Sequence, residues 1–268
     1  MNAIFKNSEL KKVTDKMSEV AGYLWEKGWA ERNAGNISIN ITGIAGGRVE
    51  KLASYPAKQL NIALPALANN IFLITGTGKR MREVARDIWG NCSIVVVHED
   101  GKTYSIVSEG ETVIPTSELP THLGVHEVMV KRGGNDKVLV HTHPNEIVAM
   151  SLLPSMQKET AINDALWGMH PETYIVVPKG VGLIPYEVPG TDEIAQLTIK
   201  SLEVHNVVVW PKHGCLAIGS DLIETFDTID TLNKSAHLYL LCKSAGEMPV
   251  GLQKTERDVL KVAFKIPN

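Results

Sequence analysis

Apolar and polar residues repeat along this chain with two periods, which predict helices and strands in mixed order. Leu10–Lys27 has apolar residues at helical spacing and ends beside Gly28, as a helix C-terminus does. In Ile37–Ile41 every second residue is apolar, which predicts a strand with one buried face. Further strands are predicted at Ile71–Thr75, Ser93–His98, Lys102–Ser108, Val138–His141, Tyr174–Pro178 and Val207–Trp210, and further helices at Leu119–Lys131, Asn145–Leu153, Asp192–His205 and Leu222–Ser244.

The connections between these elements favour a mixed sheet over a purely parallel one. Asp100-Gly101 forms a short turn between two predicted strands, and short turns join antiparallel neighbours. The stretch Thr42–Asn70 mixes Gly, Pro and Ala and has no assignable period. Because no repeat or change of composition divides the sequence, we predict a single α/β domain over residues 1–268.

The composition excludes several functional classes. The chain has 268 residues, 44% of them apolar, and its net charge of 27 − 30 = −3 argues against a nucleic-acid or anionic-membrane partner. No apolar run approaches the roughly 20 residues that a membrane-spanning helix needs. The cysteines Cys92, Cys215 and Cys242 are odd in number and widely spaced, which suits a reducing compartment. We therefore expect a cytoplasmic protein.

The strongest chemical signal is a pair of histidines at the end of a predicted strand. Since alternate residues of a strand point to one face, His141 and His143 project side by side. Two imidazoles and a third ligand can hold one transition metal ion and leave a position open. His213 is the favoured third ligand because it follows another predicted strand and precedes Gly214. The alternative is a pair of histidines hydrogen-bonded to backbone.

The other histidines carry weaker signals. His122 and His126 are four residues apart on one helix face, a spacing that zinc sites use, but Leu123 stands where the metalloprotease motif has Glu. We expect both to be exposed or capping. Four more histidines have no partner at ligand spacing: His98, His170, His205 and His237.

Three polar segments suit an anion. Thr116 and Ser117 precede a predicted helix, whose N-terminus attracts negative charge, and Glu118 beside them is a candidate general base. An ordinary capping cluster is the alternative. The loops Asn33–Asn36 and Thr75–Lys79 offer amides and hydroxyls, although the second lacks two features of a P-loop. Each loop taken singly is compatible with a simple turn.

Together these segments resemble the class II (zinc-dependent) sugar-phosphate aldolases over about residues 10–245. The motifs that carry the resemblance, in the family's order, are Glu31–Asn36, Thr75–Lys79, Pro115–Pro120, His141–His143 and Trp210–Gly214. The resemblance implies an α/β fold, a single three-layer domain with a mainly antiparallel central sheet flanked by helices. It also implies a homotetramer with sites near subunit interfaces.

The resemblance further assigns roles to individual residues. It implies one Zn²⁺ per subunit on His141, His143 and His213, and catalysis by Glu118. Glu172 would offer a second acid to a neighbouring subunit's site. Phosphate binding falls to residues of the three polar segments: Asn33, Gly35, Asn36, Thr77, Thr116 and Ser117. Two departures from the family pattern, Ala34 for Gly and Thr77 for Ser, leave these functions in place.

The implied reaction is retro-aldol cleavage of a ketose 1-phosphate. The segment Val188–Ile194 and the long Thr42–Asn70 stretch resemble the branch that cleaves L-rhamnulose 1-phosphate to dihydroxyacetone phosphate and L-lactaldehyde. Alternatives on the same zinc site are cleavage of fuculose 1-phosphate and epimerisation or dehydration of pentulose phosphates. A more distant alternative is a non-catalytic, adducin-like interaction module, which we expect to lack the metal histidines.

Overall fold

The computed structural model describes residues 3–45 and 47–266, so the predicted domain limits at residues 1 and 268 lie outside the described residues. Its strands are β1 (Asn36–Asn40), β2 (Ala57–Gln59), β3 (Ile71–Thr75), β4 (Cys92–Val97), β5 (Thr103–Val107), β6 (Val138–Thr142), β7 (Val181–Leu183), β8 (Val207–Trp210) and β9 (Gly214–Gly219). Its helices are α1 (Ser8–Glu26), α2 (Thr42–Ala45), α3 (Val49–Ala53), α4 (Met81–Val84), α5 (Leu119–Arg132), α6 (Asn145–Leu152), α7 (Glu159–Met169), α8 (Pro171–Val176), α9 (Asp192–Leu202), α10 (Leu222–Ser244) and α11 (Lys254–Ala263). Over the described ranges, no helix is both long and apolar enough to cross a membrane.

The strands form one sheet in the order β2-β5-β4-β3-β1-β6-β9-β8-β7. All neighbouring pairs are antiparallel except β7 and β8, which run parallel. The prediction of an α/β fold with a mainly antiparallel sheet is therefore confirmed. Four neighbouring strands of alternating direction bring their termini together at one end of the sheet. These termini are the start of β1, the ends of β3 and β6, and the start of β9.

Alternate residues of the central strands enter different apolar clusters. In β3, Ile71 and Leu73 pack with α1 and α10, whereas Phe72 and Ile74 pack with Leu123 of α5. Both faces of the strand are thus buried. This explains why β3 and β4 are continuous apolar runs in the sequence.

The prediction that β1 has a single buried face is wrong. Ile37 and Ile39 enter the main core, but Asn36 and Ser38 on the opposite face are only 7% and 1% exposed. A polar strand face can be buried when its side chains have hydrogen-bond partners. Here the partners lie on α5.

The predicted strand at Tyr174–Pro178 is also wrong, because the chain forms α8 at Pro171–Val176. Pro171 occupies the first turn, where its fixed φ favours a helix. The Thr173 hydroxyl is buried and lies 2.7 Å from that of Ser235 on α10. Tertiary packing therefore overrides the strand propensity of the aromatic and β-branched residues.

The remaining differences are omissions or shifts of a few residues. The unassigned stretch from Thr42 to Asn70 contains α2, α3 and β2, apart from residue 46, which is outside the described ranges. α9 ends at Leu202, before the predicted limit at His205. The sequence patterns also missed β7, β9, α4, α7 and α11.

Candidate active site

Three imidazole rings converge at the end of the sheet where the central strand β6 ends. His141 lies in β6, His143 follows it, and His213 lies in the turn between β8 and β9. Their ring centroids are 5.2 Å (141 to 143), 5.0 Å (141 to 213) and 4.6 Å (143 to 213) apart. One nitrogen from each ring lies within 4.8 Å of the others, a separation that a single metal ion can span.

The pairing of β9 between β6 and β8 brings His213 to this place. Thr142 pairs with Cys215, and the turn after Trp210 therefore sits against the end of β6. Gly214 allows the close approach, because a Cβ there would lie 2.3 Å from the carbonyl oxygen of Thr142. This contact explains why glycine follows the third histidine.

Two of the rings are held by hydrogen bonds that their Nδ1–H groups donate. His141 Nδ1 lies 2.9 Å from the carbonyl oxygen of Cys215, and His143 Nδ1 lies 2.9 Å from Glu31 Oε1. Both partners are acceptors, so each ring carries its proton on Nδ1 and presents the Nε2 lone pair. His213 Nδ1 is buried and has no hydrogen-bond partner in the described part of the chain.

The electrostatic environment keeps two of these imidazoles neutral. Burial, and then the neighbouring His143, lower the pKa of His141 to about 3. Burial and the two other histidines lower the pKa of His213 to about 3 as well. Neutral imidazole is the form that binds metal ions. Three imidazole nitrogens so close together fit a divalent metal ion. The buried His213 Nδ1, which has no hydrogen-bond partner among the described residues, also agrees with a ligand at this place.

Glu118 faces the histidines from the residue that precedes α5. Its Oε2 lies 4.0 Å from His141 Nε2 and accepts a hydrogen bond of 2.9 Å from Asn36 Nδ2. Burial raises the pKa of Glu118, and the hydrogen bond from Asn36 opposes that rise. A largely buried carboxyl of this kind is suited to exchanging a proton with a bound substrate.

The predicted phosphate loops lie beside Glu118. An isolated bridge pairs Gly76 with Pro115, and the amide of Thr116 donates to the carbonyl oxygen of Thr75 at 2.9 Å. Thr77 and Thr116 are therefore brought together, although they come from distant segments. Both loops face the same cavity as the histidines.

The cavity collects nearly all the residues singled out in the sequence. Its volume is about 340 Å³, and besides Glu118 and the three histidines it is lined by Asn33, Gly35, Asn36, Thr77, Thr116 and Ser117. Gly35 has φ +77°, and a Cβ there would lie 3.2 Å from the carbonyl oxygen of His141. The structure thus places this loop directly against β6.

Glu172 is not brought to this cavity. It lies in α8, its side chain is 60% exposed, and its Oε2 is 3.2 Å from His170 Nε2. Glu31 and Arg32 also line the cavity, although no role is predicted for them from the sequence beyond their place in the motif Glu31–Asn36. No spacing rule could have found the contact of Glu31 with His143, since the two are far apart in sequence.

The expectation that His122 and His126 are exposed or capping is wrong. Both are buried on α5 and only 0% and 1% exposed. Ser38 Oγ lies 2.7 Å from His122 Nδ1 and 2.8 Å from His126 Nε2. The ring of His126 packs against Phe72, with 4.7 Å between centroids. The two histidines therefore fill the polar face of β1.

A family model described as "Class II Aldolase and Adducin N-terminal domain" matches residues 15–240. The chain belongs to this family. A divalent metal site in a class II aldolase agrees with the histidine cluster described above.

Named relatives extend the comparison over the whole length. The chain is 42% identical over 270 residues to a rhamnulose-1-phosphate aldolase of Bacteroides thetaiotaomicron, covering 100% of both chains. It is 37% identical over 249 residues to one of Klebsiella pneumoniae, covering 90% of this chain and 89% of that one. These similarities agree with the resemblance drawn from Val188–Ile194 and from the long Thr42–Asn70 stretch.

Solved structures show the same fold. A sugar-phosphate aldolase of Thermotoga maritima matches with a TM-score of 0.78 and 31% identity, covering 91% of this chain and 100% of that one. An L-fuculose 1-phosphate aldolase matches with a TM-score of 0.62 and 22% identity, covering 95% and 97%. The second likeness concerns the fold alone.

Proposed function

We propose that this class II aldolase cleaves L-rhamnulose 1-phosphate to dihydroxyacetone phosphate and L-lactaldehyde. The cavity itself carries the proposal, because three converging imidazoles, a shielded carboxyl and two polar loops line it. The full-length similarity to rhamnulose-1-phosphate aldolases supports the choice of substrate.

The three histidines would hold the metal ion, for which we propose zinc, one per subunit. When bound, a divalent ion supplies Lewis-acid polarisation of a carbonyl oxygen and neutralises developing negative charge. The histidines would supply neutral imidazoles whose free ring nitrogens face the ion. Cys215 and Glu31 fix two of the rings, so the ligands need little rearrangement on binding.

Glu118 would move the proton at the reacting carbon. In cleavage, the C4 hydroxyl gives its proton to a water molecule in the cavity, the C3–C4 bond breaks as the C4 carbonyl forms, and the electron pair of the broken bond remains on C3. Glu118 in its protonated form then gives its proton to C3, and the proton released to water restores the carboxyl. In the reverse direction the Glu118 carboxylate removes the same proton from C3. Its Oε2 is engaged by Asn36, so Oε1 is the oxygen that exchanges the proton.

The polar loops would hold the substrate phosphate. Asn33, the Gly35 backbone and Asn36 from one segment line the cavity together with Thr77, Thr116 and Ser117 from the other two segments. Arg32 lines the same cavity and adds a positive charge. Binding energy from the phosphate positions the reacting end of the substrate, so an unphosphorylated ketose should be a poor substrate.

Further proposals concern the assembly. We propose one domain over residues 1–268, arranged as three layers, and a cytoplasmic homotetramer. Because Glu172 is exposed and lies apart from the cavity of its own chain, we propose that it acts at a neighbouring subunit's site.

A coupled assay tests the reaction. Purified protein is given rhamnulose 1-phosphate or fuculose 1-phosphate, with and without a chelator, and dihydroxyacetone phosphate is measured with glycerol-phosphate dehydrogenase. We expect faster release from rhamnulose 1-phosphate and none after chelation. Conversion of a pentulose phosphate without a triose product would instead support the epimerase alternative. Covalent trapping by borohydride together with chelator-resistant cleavage would refute the metal-dependent reaction.

A further inference from the structure

A chain of hydrogen bonds runs from Glu118 through Asn36 into the protein core, where it continues through residues to which the proposed reaction assigns no role. Asn36 Nδ2 donates to Glu118 Oε2 at 2.9 Å, and Asn36 Oδ1 contacts His122 Nε2. His122 Nδ1 lies 2.7 Å from Ser38 Oγ, which in turn lies 2.8 Å from His126 Nε2. Every link except the Glu118 carboxyl is buried.

We propose that His122 is a positioning residue, which fixes the Asn36 amide so that Glu118 presents a single oxygen to the substrate. The proposal rests on the function proposed above for Glu118. The proposal adds that the contact with His122, which lies outside the cavity, fixes the orientation of the Asn36 amide.

Elementary hydrogen-bond chemistry gives each link one direction. A carboxylate only accepts, so Asn36 must turn its NH₂ group to Glu118 and its carbonyl oxygen to His122. That oxygen also only accepts, so His122 carries its proton on Nε2 and leaves Nδ1 as an acceptor. Ser38 then donates its one proton to His122.

The direction of the hydrogen bond between Ser38 and His126 follows from the directions of the earlier ones. Because the proton of Ser38 is used, its oxygen accepts from His126, which must carry a proton on Nε2. Burial keeps both rings neutral: it lowers the pKa of His122 well below its usual range and that of His126 to about 3. A neutral ring has one donor and one acceptor, as this arrangement requires.

The arrangement opposes rotation of the Asn36 side chain. Turning the amide by 180° would place its oxygen against the Glu118 carboxylate and its NH₂ group against the N–H of His122. Both contacts are unfavourable, and a buried polar group left unpaired is costly. Without the N–H of His122, only Glu118 itself would hold Asn36, and the amide could leave Glu118 Oε2.

Three variants separate positioning from general core damage. His122→Phe removes the donor, whereas the NH₂ group of His122→Gln can replace the Nε2–H. His126→Phe is the matched control, because His126 is equally buried on the same helix but one link further from Asn36. The measurement is the rate at which metal-loaded protein exchanges a carbon-bound proton of dihydroxyacetone phosphate with D₂O, with KM and metal content determined in parallel.

We expect His122→Phe to slow exchange by about 10-fold to 100-fold, because a small misplacement of a reacting group has an effect of this size. KM and metal content should stay near wild type. His122→Gln should recover most of the rate, and His126→Phe should lose only a few-fold. Equal losses in the two Phe variants, or no recovery with Gln, would overturn the positioning role.

A second measurement does not depend on activity or on the folding of any variant. Two-dimensional ¹H–¹⁵N NMR of the metal-free wild-type protein distinguishes the tautomers of its imidazoles. We expect His122 and His126 to be neutral with the proton on Nε2. A proton on Nδ1 of His122 would overturn the inference even in an active aldolase. Wild-type protein without exchange or cleavage activity would refute the proposed function, and the tautomers would still decide the arrangement at His122.

Discussion

Replacing Glu31 by Ala removes the carboxylate that holds the ring of His143, and we expect the affinity for the metal ion to fall by about tenfold. Glu31 Oε1 accepts from His143 Nδ1 at 2.9 Å. Partners of this kind fix the ring and raise the basicity of the ligating nitrogen, and their loss typically costs about 10-fold to 100-fold in affinity.

The exposure of the pair places the expected effect at the lower end of that range. The Glu31 side chain is 66% exposed and that of His143 is 17% exposed, so water can partly replace the lost acceptor. Tenfold corresponds to about 1.4 kcal/mol of binding free energy. Glu31→Gln retains an acceptor oxygen at the same reach and should keep most of the affinity.

The measurement is a competition titration of zinc against a chromophoric chelator, which requires no turnover. The chain offers a matched control in Glu159, whose Oε1 lies 3.3 Å from Nε2 of His205, away from the cavity. Glu159→Ala should bind zinc like wild type. The reasoning is refuted if Glu31→Ala binds zinc as tightly as wild type, or if both Ala variants weaken binding equally.

Three further predictions follow from other parts of the structure. Glu118→Ala should lose about 10²-fold to 10⁴-fold of cleavage activity while the metal content stays constant, since general acid–base help has that size; turnover near wild type would remove Glu118 from its role. Gly214→Ala places a Cβ 2.3 Å from a carbonyl oxygen and should lower the free energy of unfolding by about 1–3 kcal/mol. Gly43→Ala, whose new Cβ would have no atom within 4 Å, should leave it unchanged. Equal unfolding midpoints of the two variants in urea would contradict this. Asp221 caps α10 and pairs with Lys16. Burial favours a higher pKa of the Asp221 carboxyl, but these contacts outweigh burial and lower the pKa. The carboxylate therefore stabilises the fold at pH 7, and this stabilisation is lost as the pH falls from about 4 through the lowered pKa. Asp221→Ala should therefore lower the free energy of unfolding at pH 7 by about 0.5–2 kcal/mol and by less at pH 3, and a difference that does not shrink on acidification would contradict the assignment.

Much of the fold could be predicted because long periodic segments define it. The limits of α10 at Leu222 and Ser244 follow from an amphipathic pattern over many turns. The strands β3 and β4 were visible as apolar runs since both of their faces are buried. The turn at Asp100-Gly101 indicated the antiparallel pairing of β4 and β5. These signals are local, and the sequence contains them completely.

What could not be predicted depends on contacts between distant segments. Tyr174 lies in a segment with strand propensity, and packing against α10 makes it helical. The burial of His122 depends on Ser38, which lies 84 residues earlier in the sequence. In the same way, the contact of His143 with Glu31 appears only when the sheet has formed. Motif matching found the candidate ligands, but the side chains that orient them follow from the tertiary structure.

The position of His213 in the hairpin of β8 and β9 has a consequence for how the protein matures. Helices α6 to α9 separate this histidine from the other two, so during translation the first two ligands leave the ribosome well before the third. The ion can be held by all three rings only after β9 has paired with β6. Loading with metal must therefore follow synthesis of this hairpin, and a nascent chain arrested before β9 would compete poorly with cellular chelators for the ion.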